Sequence, residues 1–302
     1  MGNARPRVSI GLPVYNGERY LRVALDSLLS QTFGAFELVI CDNASSDGTA
    51  EIARSFAARD RRIRYVRNDR NIGSARNFNR AFELSQGAYF RWFSADDVSA
   101  SESLARCVEA LDAEPAAVLA YPRTRLIDEH GQAIRDYDDR LHLTMADPCE
   151  RFQELLTRLG YTNAVYGLMR ADAVRRTTLF GPYVGSDEVF QAALVLQGAF
   201  LEIPEVLFFR RLHADASSSM TRADRLKSYS PDRARPTEMS RWKRLLGLSR
   251  VVERSALGRA QKVRLQTYLA RTAVWDRGAL AREVVAAMRD AVGGLLRSPS
   301  PR

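Results

Sequence analysis

The sequence predicts an α/β protein with a Rossmann-like, mostly parallel sheet flanked by helices. Short apolar segments alternate with stretches of helical periodicity through the first 121 residues, and polar turn sequences follow several of the apolar segments. Strands that alternate with helices are joined by right-handed crossovers, and such crossovers make the strands of one sheet parallel. These observations predict a doubly wound layout.

Five predicted strands lie in this part of the chain, each short and rich in Val, Ile, Leu, Phe or Tyr: residues 8–12, 36–41, 63–66, 88–93 and 118–121. Between them, apolar residues recur at spacings of three and four, which is the period of a helix with one buried face. The four predicted helices are marked by Leu25, Phe56, Phe78 and Val108.

The second half of the chain is less regular. Residues 124–149 are polar and aperiodic, and we expect a mobile loop there. Patterns beyond it predict a helix near Leu155, a strand at 164–169, a helix at 186–198 and a closing strand that ends near His213. The remainder is helical in composition, with a proline-containing link at 230–236. We predict a main domain over 1–221 and a basic helical extension over 222–302.

The positive charge of the chain is concentrated in the extension. The net charge is +9, but residues 222–302 carry 19 Lys and Arg against 7 Asp and Glu, or +12. Residues 1–221 carry 26 against 29, or −3. Because the extension lacks interleaved aromatic residues or a zinc pattern, nucleic acid is not the expected partner. An anionic membrane surface or a partner protein is expected instead.

Three cysteines without close spacing predict neither a zinc site nor a disulfide framework, and they favour a reducing cytoplasm. The first 17 residues lack the apolar stretch of a signal peptide, and no later run reaches the length of a membrane span. We therefore expect a cytoplasmic protein.

Ligands of doubly wound sheets bind beyond the carboxyl ends of the strands, so the loops there are the candidate site. The loop "CDNASSDGTAE" at 41–51 places Asp42 where a carboxylate could bond a ribose or a base, although helix capping explains part of its composition. In "NDRNIGSARN" at 68–77, Gly73 permits close backbone approach. Arg76 indicates a nearby anion or base, or is a solvated side chain. No GxGxxG or Walker A sequence is present, which argues against nicotinamide dinucleotides and P-loop chemistry.

The stretch "FSADDV" at 93–98 places two adjacent carboxylates, Asp96 and Asp97, at the end of a predicted buried strand. Neighbouring carboxylates repel unless a positive charge neutralises them, which makes a divalent cation the sharpest candidate. Helix capping by either residue is the alternative.

The combination of "VSIGLPVYNGERYLRVALDSLLSQTFGAFELVICDNASSDGT", "NIGSARNFNRAF" and "GAYFRWFSADDV" resembles family 2 inverting glycosyltransferases with the GT-A fold. The resemblance covers about residues 7–215, so that the main domain would be the catalytic domain. It implies that a set of residues occupies donor-binding positions: Pro13, Tyr15, Asn16, Glu18, Asp42, Asn43 and Arg76.

The same resemblance implies a metal site. The family carries a DxD-type motif where this chain has Ser94-Ala95-Asp96, so Asp96 is the implied ligand of Mg²⁺ or Mn²⁺, and Asp97 supports it or binds the donor sugar. "RRLHADASSS" at 210–219 resembles the family's Arg-x-x-His segment. His213 would complete the metal shell or bond a phosphate oxygen, and Arg210 would add charge beside the donor diphosphate.

A catalytic base is implied by "GSDEVF" at 185–190, which resembles the family's Glu-Asp motif with Ser186 in the Glu position. Asp187 falls on the base that removes the proton of the acceptor hydroxyl, and Glu188 is the fallback. The alternative for Asp187 is an ordinary acidic residue at a helix start, where the helix dipole favours it.

The segment "SRWKRLLGLSR" at 240–250 mixes Trp242, Leu245, Leu246 and Leu248 with four basic residues. It could lie on an anionic membrane. It could equally be an amphipathic helix that packs on the main domain, and this second interpretation is preferred.

Together these features predict an inverting, metal-assisted transfer of a sugar from a UDP- or dTDP-linked donor to a hydroxyl of a glycan, a lipid-linked molecule or a small molecule, as in polysaccharide or glycoconjugate biosynthesis. Two alternatives remain. A nucleotidyltransferase would show a Gly-rich loop with a following Lys after strand one, and "LPVYNGERY" has neither. A catalytically inactive protein that binds sugar nucleotides would bind the donor without cleaving it.

Overall fold

The computed structural model describes residues 6–214, 216, 221–229 and 239–296. The proline-containing link at 230–236 and most of the serine-rich segment after His213 lie outside the described residues. The strands are β1 Val8–Val14, β2 Phe36–Asp42, β3 Ile63–Arg67, β4 Tyr89–Trp92, β5 Val98–Ser99, β6 Ala117–Ile127, β7 Ala133–Tyr137, β8 Leu168–Arg170 and β9 Ala199–Arg211.

Helices follow most of the strands. They are α1 Glu18–Leu29, α2 Thr49–Arg59, α3 Ser74–Glu83, α4 Ser103–Ala113, α5 Pro148–Arg158, α6 Ala171–Arg175, α7 Ser186–Val195, α8 Arg222–Tyr229, α9 Ser240–Arg254, α10 Arg259–Trp275 and α11 Arg277–Leu296. A short 3-10 helix spans Asn163–Tyr166.

The strands form one sheet in the order β3-β2-β1-β4-β8-β6-β9-β5, with β7 paired to β6. The first four strands are mutually parallel, as the alternation with helices predicts. Beyond β4 the sheet is mixed, because β8 runs antiparallel to both β4 and β6 while β9 is parallel to β6. The predicted α/β layout is confirmed.

Helices cover both faces of the sheet, which is why β1 is buried along its whole length. One core cluster includes Leu12 of β1 and Leu25 of α1. The other centres on Trp92, whose ring centroid lies 4.7 Å from that of Phe180 and 5.2 Å from that of Phe190. The side chain of Trp92 is fully buried.

Two local predictions were wrong. Residues 124–149 are not a mobile loop throughout, because β6 continues to Ile127 and turns back as β7. The residues of β7 are nearly all exposed on the margin of the sheet, so burial does not impose an apolar pattern on their sequence. The predicted strand at 164–169 begins only at Leu168. Thr162 has a φ of 58°, which interrupts extended chain, and the bond from Gly167 N to Ala164 O closes a 3-10 turn.

The C-terminal helices belong to the same core as the main domain. Leu248 and Val252 of α9 are buried in the cluster that contains Phe190 of α7. Gly247 permits this contact, since a Cβ at that position would lie 2.9 Å from the Tyr183 hydroxyl oxygen and 3.1 Å from Val189. The hydrophobic core therefore continues across the predicted boundary between residues 221 and 222. None of the described helices is both long enough and apolar enough to cross a membrane.

Candidate active site

The carboxyl ends of the first strands bring their loops together. Val14 at the end of β1 pairs with Asp42 at the end of β2, and Asp42 pairs with Arg67 of β3. The loop after β4 adjoins the loop after β1, because a Cβ at Gly17 would lie 3.5 Å from the Cβ of Ala95. The predicted donor and metal residues therefore share one edge of the sheet.

Asp42 is fully buried, and its carboxylate accepts three hydrogen bonds. The donors are the Tyr65 hydroxyl at 2.6 Å, the Arg67 guanidinium at 2.7 Å and the Ser45 backbone N–H at 2.8 Å. Burial disfavours the ionised carboxyl, but the bonds from Tyr65, Ser45 and Arg67 outweigh it and lower the pKa of Asp42. Protein donors occupy most of the hydrogen-bond acceptor sites of this carboxylate, so Asp42 stabilises the conformation of the loop after β2.

Asn43 connects the loops after β2 and β3. Its side-chain oxygen accepts from Ile72 N at 2.9 Å and from Asn68 Nδ2 at 3.0 Å, and its Nδ2 donates to Asn71 Oδ1 at 2.8 Å. Since the amide is buried and bonded on both sides, Asn43 also supports the loops.

Asn16 and Glu18 tie the loop after β1 to the loop after β2. Asn16 has a φ of 50°, and its Oδ1 accepts from Ser46 N at 2.8 Å while its own N–H donates to Ser45 Oγ at 2.9 Å. The carboxylate of Glu18 accepts from Gly48 N. Both side chains are used within the protein.

The remaining three predicted donor residues differ in exposure. Pro13 is buried in β1, whereas the ring of Tyr15 is 51% exposed and available for a base to stack on. Arg76 lies on the exposed side of α3 and lines a separate depression with Ile72 and Arg80. The structure does not bring Arg76 into the cavity described below.

Asp96 and His213 form a partly buried pair. His213 Nε2 lies 2.9 Å from Asp96 Oδ2, and the Ser94 hydroxyl donates to Asp96 Oδ1. Burial works against ionisation, but the bonds from His213 and Ser94 outweigh it and lower the pKa of Asp96. The other ring nitrogen of His213, Nδ1, is buried and has no hydrogen-bond partner in the described part of the chain.

This pair fits a divalent cation in ligand chemistry, since a carboxylate oxygen and an imidazole nitrogen both bind Mn²⁺ and related ions. Within the described ranges, no three His, Cys, Asp or Glu side chains gather into a metal cluster. A cation held by Asp96 and His213 would therefore take its other ligands from a diphosphate and from water, as Mg²⁺ does in nucleotide sites.

Asp97 joins the loop after β4 to the end of β9. It is buried and accepts from Arg211 N at 2.8 Å, while Arg211 Nε donates to the backbone oxygen of Asp96 at 2.9 Å. Burial, followed by the charge of Asp96, raises the pKa of Asp97 well above its ordinary range. Asp97 thus supports the Asp96 segment from the protein side.

Asp187 lines a cavity of about 400 Å³, within the roughly 300–1,000 Å³ of small-molecule sites. Its carboxylate accepts from the Thr162 hydroxyl at 3.1 Å, which is its one side-chain hydrogen bond within the described residues. The cavity walls come from α3, the turn before the 3-10 helix, the loop before α7, β9 and α8: Ser74, Ala75, Phe78, Gly160, Tyr161, Thr162, Val165, Tyr166, Phe180, Val184, Gly185, Glu188, Arg210, Arg225, Ser228 and Tyr229.

Glu188 is paired with Arg244 of α9 by a short hydrogen bond to the guanidinium Nε. Burial raises the pKa of Glu188, the charge of Arg244 opposes this, and the charge of Asp187 adds to it. The fallback base is therefore ion-paired with the extension, whereas Asp187 makes no ion pair with a described residue.

Arg210 is oriented by a chain of contacts that the sequence did not reveal. Its NH1 donates to Asn163 Oδ1 at 2.6 Å and to Tyr161 O at 2.8 Å. Asn163 in turn donates from its Nδ2 and its backbone N to Asp139, at 3.2 and 3.3 Å. Burial raises the pKa of Asp139 to about 6, with the bonds from Asn163 acting against it. Asp139 lies in "DYDDR", where no local pattern separates it from its acidic neighbours.

The hydroxyl of Tyr166 is affected by charges from both the Asp96 segment and the cavity that contains Asp187. Tyr166 lines the cavity with Asp187 and Arg210, whereas Asp96 and His213 lie outside the lining among the described residues. Burial raises the pKa of Tyr166, and the charges of Asp97, Asp96 and Asp187 raise it further while Arg210 lowers it.

Two tyrosines, Tyr161 and Tyr166, line this cavity and offer aromatic surface to an acceptor. Tyr183 instead lines a neighbouring cavity between α7 and α9.

The site lies at one edge of a mixed α/β sheet, and the comparisons with known proteins identify the family. The family model of Glycosyl transferase family 2 matches residues 9–176, more than half of the chain. The chain belongs to this family, as the sequence resemblance predicted.

Curated relatives match parts of the chain. Chondroitin synthase of Escherichia coli is 28% identical over 189 residues, which cover 59% of this chain and 27% of the relative. The putative glycosyltransferase EpsE of Bacillus subtilis is 36% identical over 111 residues, 36% of this chain and 40% of the relative. The chain thus spans less than half the length of these relatives.

Solved structures share the fold. S. aureus TarS 1-349 in complex with UDP-GlcNAc has a TM-score of 0.64 at 17% identity, over 85% of this chain and 69% of the other. The mannosyltransferase PcManGT from Pyrobaculum calidifontis, in complex with GDP-Man and Mn²⁺, has a TM-score of 0.55 at 18% identity, over 99% of this chain and 82% of the other. The predicted GT-A fold is confirmed by these similarities.

Proposed function

We propose that the chain is an inverting glycosyltransferase that moves a sugar from a nucleoside diphosphate donor to a hydroxyl acceptor, with Asp187 as the base. The observation that carries the proposal is the cavity in which Asp187 and Arg210 meet, beside the Asp96 segment, whose backbone oxygen accepts from the neighbouring Arg211 at 2.9 Å. Membership of a glycosyltransferase family supports it.

Asp187 accepts the proton of the acceptor hydroxyl as the acceptor oxygen forms a bond to the anomeric carbon. The bond from that carbon to the phosphate oxygen breaks, and the nucleoside diphosphate leaves with the electron pair. A base on the acceptor side suits attack opposite the leaving group, and such a displacement inverts the anomeric carbon. The Thr162 hydroxyl orients the Asp187 carboxylate for this task.

Arg210 supplies positive charge in the cavity and faces the charge that develops on the leaving diphosphate. Asp96 and His213 are the residues that would hold a divalent cation, Mg²⁺ or Mn²⁺. Such a cation acts as a Lewis acid toward diphosphate oxygens. The similar mannosyltransferase that contains Mn²⁺ supports this choice of cofactor.

The donor is proposed to be UDP- or dTDP-linked. Structures similar in fold contain UDP, UDP-GlcNAc or GDP-Man, which supports a nucleoside diphosphate sugar in general. Tyr15 is the residue proposed to stack on the base, because its ring is exposed at the end of β1. The acceptor is proposed to be a glycan, a lipid-linked molecule or a small molecule with a free hydroxyl.

Peripheral contact with the cytoplasmic face of an anionic membrane is also part of the proposal, on the strength of the +12 charge of residues 222–302. The segment 240–250 is not the contact surface. It forms the first part of α9, where Leu248 is buried and Trp242 Nε1 donates to Leu280 O at 3.1 Å. The preferred interpretation of this segment, packing on the main domain, is confirmed.

The test is release of nucleoside diphosphate from UDP-, dTDP- and GDP-sugars by the full chain, with Mg²⁺, Mn²⁺ or a chelator, and NMR assignment of the product anomer. We expect turnover with inversion, which Asp187→Asn lowers by about 100- to 10,000-fold and Glu150→Gln leaves intact. Glu150 is a matched control because it is an exposed acidic residue in the first turn of α5. Donor binding without cleavage would indicate an inactive sugar-nucleotide-binding protein. Release of inorganic pyrophosphate from a nucleoside triphosphate supplied together with a sugar 1-phosphate would indicate a nucleotidyltransferase.

A further inference from the structure

The last two described helices expose an unusual share of apolar side chains. Of the nine large hydrophobic residues exposed in the described part of the chain, five lie on α10 and α11. Trp275 is 78% exposed, and the others are 56–65% exposed: Val263, Val274, Val285 and Met288. A patch of this kind on a protein surface marks an interaction site.

On α10 the exposed residues form a stripe along one face. Val263, Thr267, Ala270 and Val274 are spaced by four, three and four residues, so they share a face, and each is exposed. The opposite face carries Leu265 and Leu269, which are buried in the main core. Since the inner face already accounts for the packing of α10, the outer stripe needs another partner.

The helix α11 repeats this arrangement. Ala281, Val285 and Met288 lie on one exposed face, while Leu280 and Glu283 are buried on the inner side. The carboxylate of Glu283 accepts from the backbone N–H of Arg241 at 3.1 Å and is turned away from the outer surface.

Arginines border both stripes. Arg271 follows Ala270 on α10. On α11, Arg282 follows Ala281 and Arg289 follows Met288, so these two arginines are seven residues apart. All three are exposed and make no ion pair with a carboxylate in the part of the chain that the structure describes. Between the stripes, Asp276 is the one exposed acidic side chain described on this surface.

We propose that the outer face of α10 and α11 is the surface that lies on an anionic lipid bilayer. The exposed valines of the two helices enter the headgroup region together with Met288 and Trp275, whose indole is favoured there. The three arginines reach lipid phosphates. The inference rests on the membrane contact of the proposed function and gives it a location, away from α9.

Charge favours a bilayer over a second copy of the chain. A symmetric pair of these faces would bring the three arginines of each copy together, and like charges across an interface oppose association. An anionic membrane offers the complementary sign, and each basic residue near such a surface strengthens binding by about fivefold.

The test is flotation of the full chain with vesicles of phosphatidylcholine alone or mixed with phosphatidylglycerol. We expect flotation with the mixed vesicles only, and loss of it in Trp275→Ser/Met288→Ser and in Arg271→Gln/Arg282→Gln/Arg289→Gln. Matched controls are Ile134→Ser, an exposed apolar residue of β7, and Arg59→Gln, an exposed arginine of α2. Circular dichroism checks that each variant is folded.

A second readout uses fluorescence. Mixed vesicles should shift the emission of the wild-type chain to the blue, and Trp275→Phe should remove the shift although Trp92 and Trp242 remain. Equal flotation of wild type and both multiple variants would overturn the inference. A lipid-independent dimer that the same variants dissociate would overturn it too and assign the face to a second copy. Donor cleavage does not require vesicles, so these failures are distinct from failure of the proposed reaction.

Discussion

The loop after β2 and the start of α7 each carry an aspartate that the family resemblance assigned to the site, and their surroundings differ. Asp42 is fully buried and accepts three hydrogen bonds from Tyr65, Arg67 and Ser45. Asp187 borders a cavity and accepts one, from Thr162. A carboxylate already bonded by protein donors maintains the fold, whereas one with free lone pairs can take a proton from a substrate. The number of hydrogen bonds that each carboxylate accepts therefore distinguishes an acid that supports the fold from one that could react, and position in the sequence alone does not.

The largest expected effect concerns the reacting acid. Asp187→Asn keeps the shape of the side chain but removes the base, so kcat should fall by about 100- to 10,000-fold. The donor dissociation constant should change little, because the proposed role of Asp187 is toward the acceptor. Steady-state turnover and donor titration measure the two quantities, and unchanged kcat would break the comparison.

Replacing the supporting acid, Asp42, should lower the stability of the fold. Asp42→Ala leaves Tyr65 and Arg67 without their acceptor, and the free energy of unfolding should fall by about 2–4 kcal/mol in urea titrations at neutral pH. Because its pKa is lowered, the contribution of Asp42 is present at neutral pH and is lost as the pH falls below about 4. Asp69→Ala, at an exposed position of the next loop, is the control and should have little effect.

Asp139 should behave in the opposite sense to Asp42. Its pKa is raised to about 6, so the native state binds its proton more tightly than the unfolded chain does. Its contribution to stability is therefore present at about pH 4 and declines as the pH rises to about 6, by up to roughly 3 kcal/mol. The free energy of unfolding of Asp139→Asn, minus that of the wild type, should therefore increase as the pH rises from about 4 to about 6. A difference that stays constant with pH would show that the carboxylate is not buried as described.

The smallest effect is expected at the contact between the extension and α7. Arg244→Met leaves the charge of Glu188 unpaired beside Asp187, and we expect kcat to fall by about tenfold. Glu188→Gln in the same background should restore part of the loss, because it removes that charge. If the double variant is no better than the single one, the pair acts through packing alone.

The parts of the fold that could be predicted are those where burial dictates residue type. β1, β2 and β4 were predicted because nearly all of their residues are buried and most of them must be apolar. β7 was missed because it lies at the margin of the sheet, where polar residues are tolerated. Asp139 was missed for a related reason, since its role depends on Asn163 and Arg210, which are far from it in sequence. Long-range polar contacts of this kind have no local pattern.

Because α9 packs closely against α7 at Gly247, the C-terminal helices that are proposed to locate the enzyme at a membrane also support the helix that carries Asp187. A chimera that exchanged the C-terminal helices for those of a relative, in order to send the protein to a different cellular surface, would also replace the support beneath Asp187. Retargeting and turnover are therefore expected to change together, and an engineered swap would have to carry the paired surface of α7 with it.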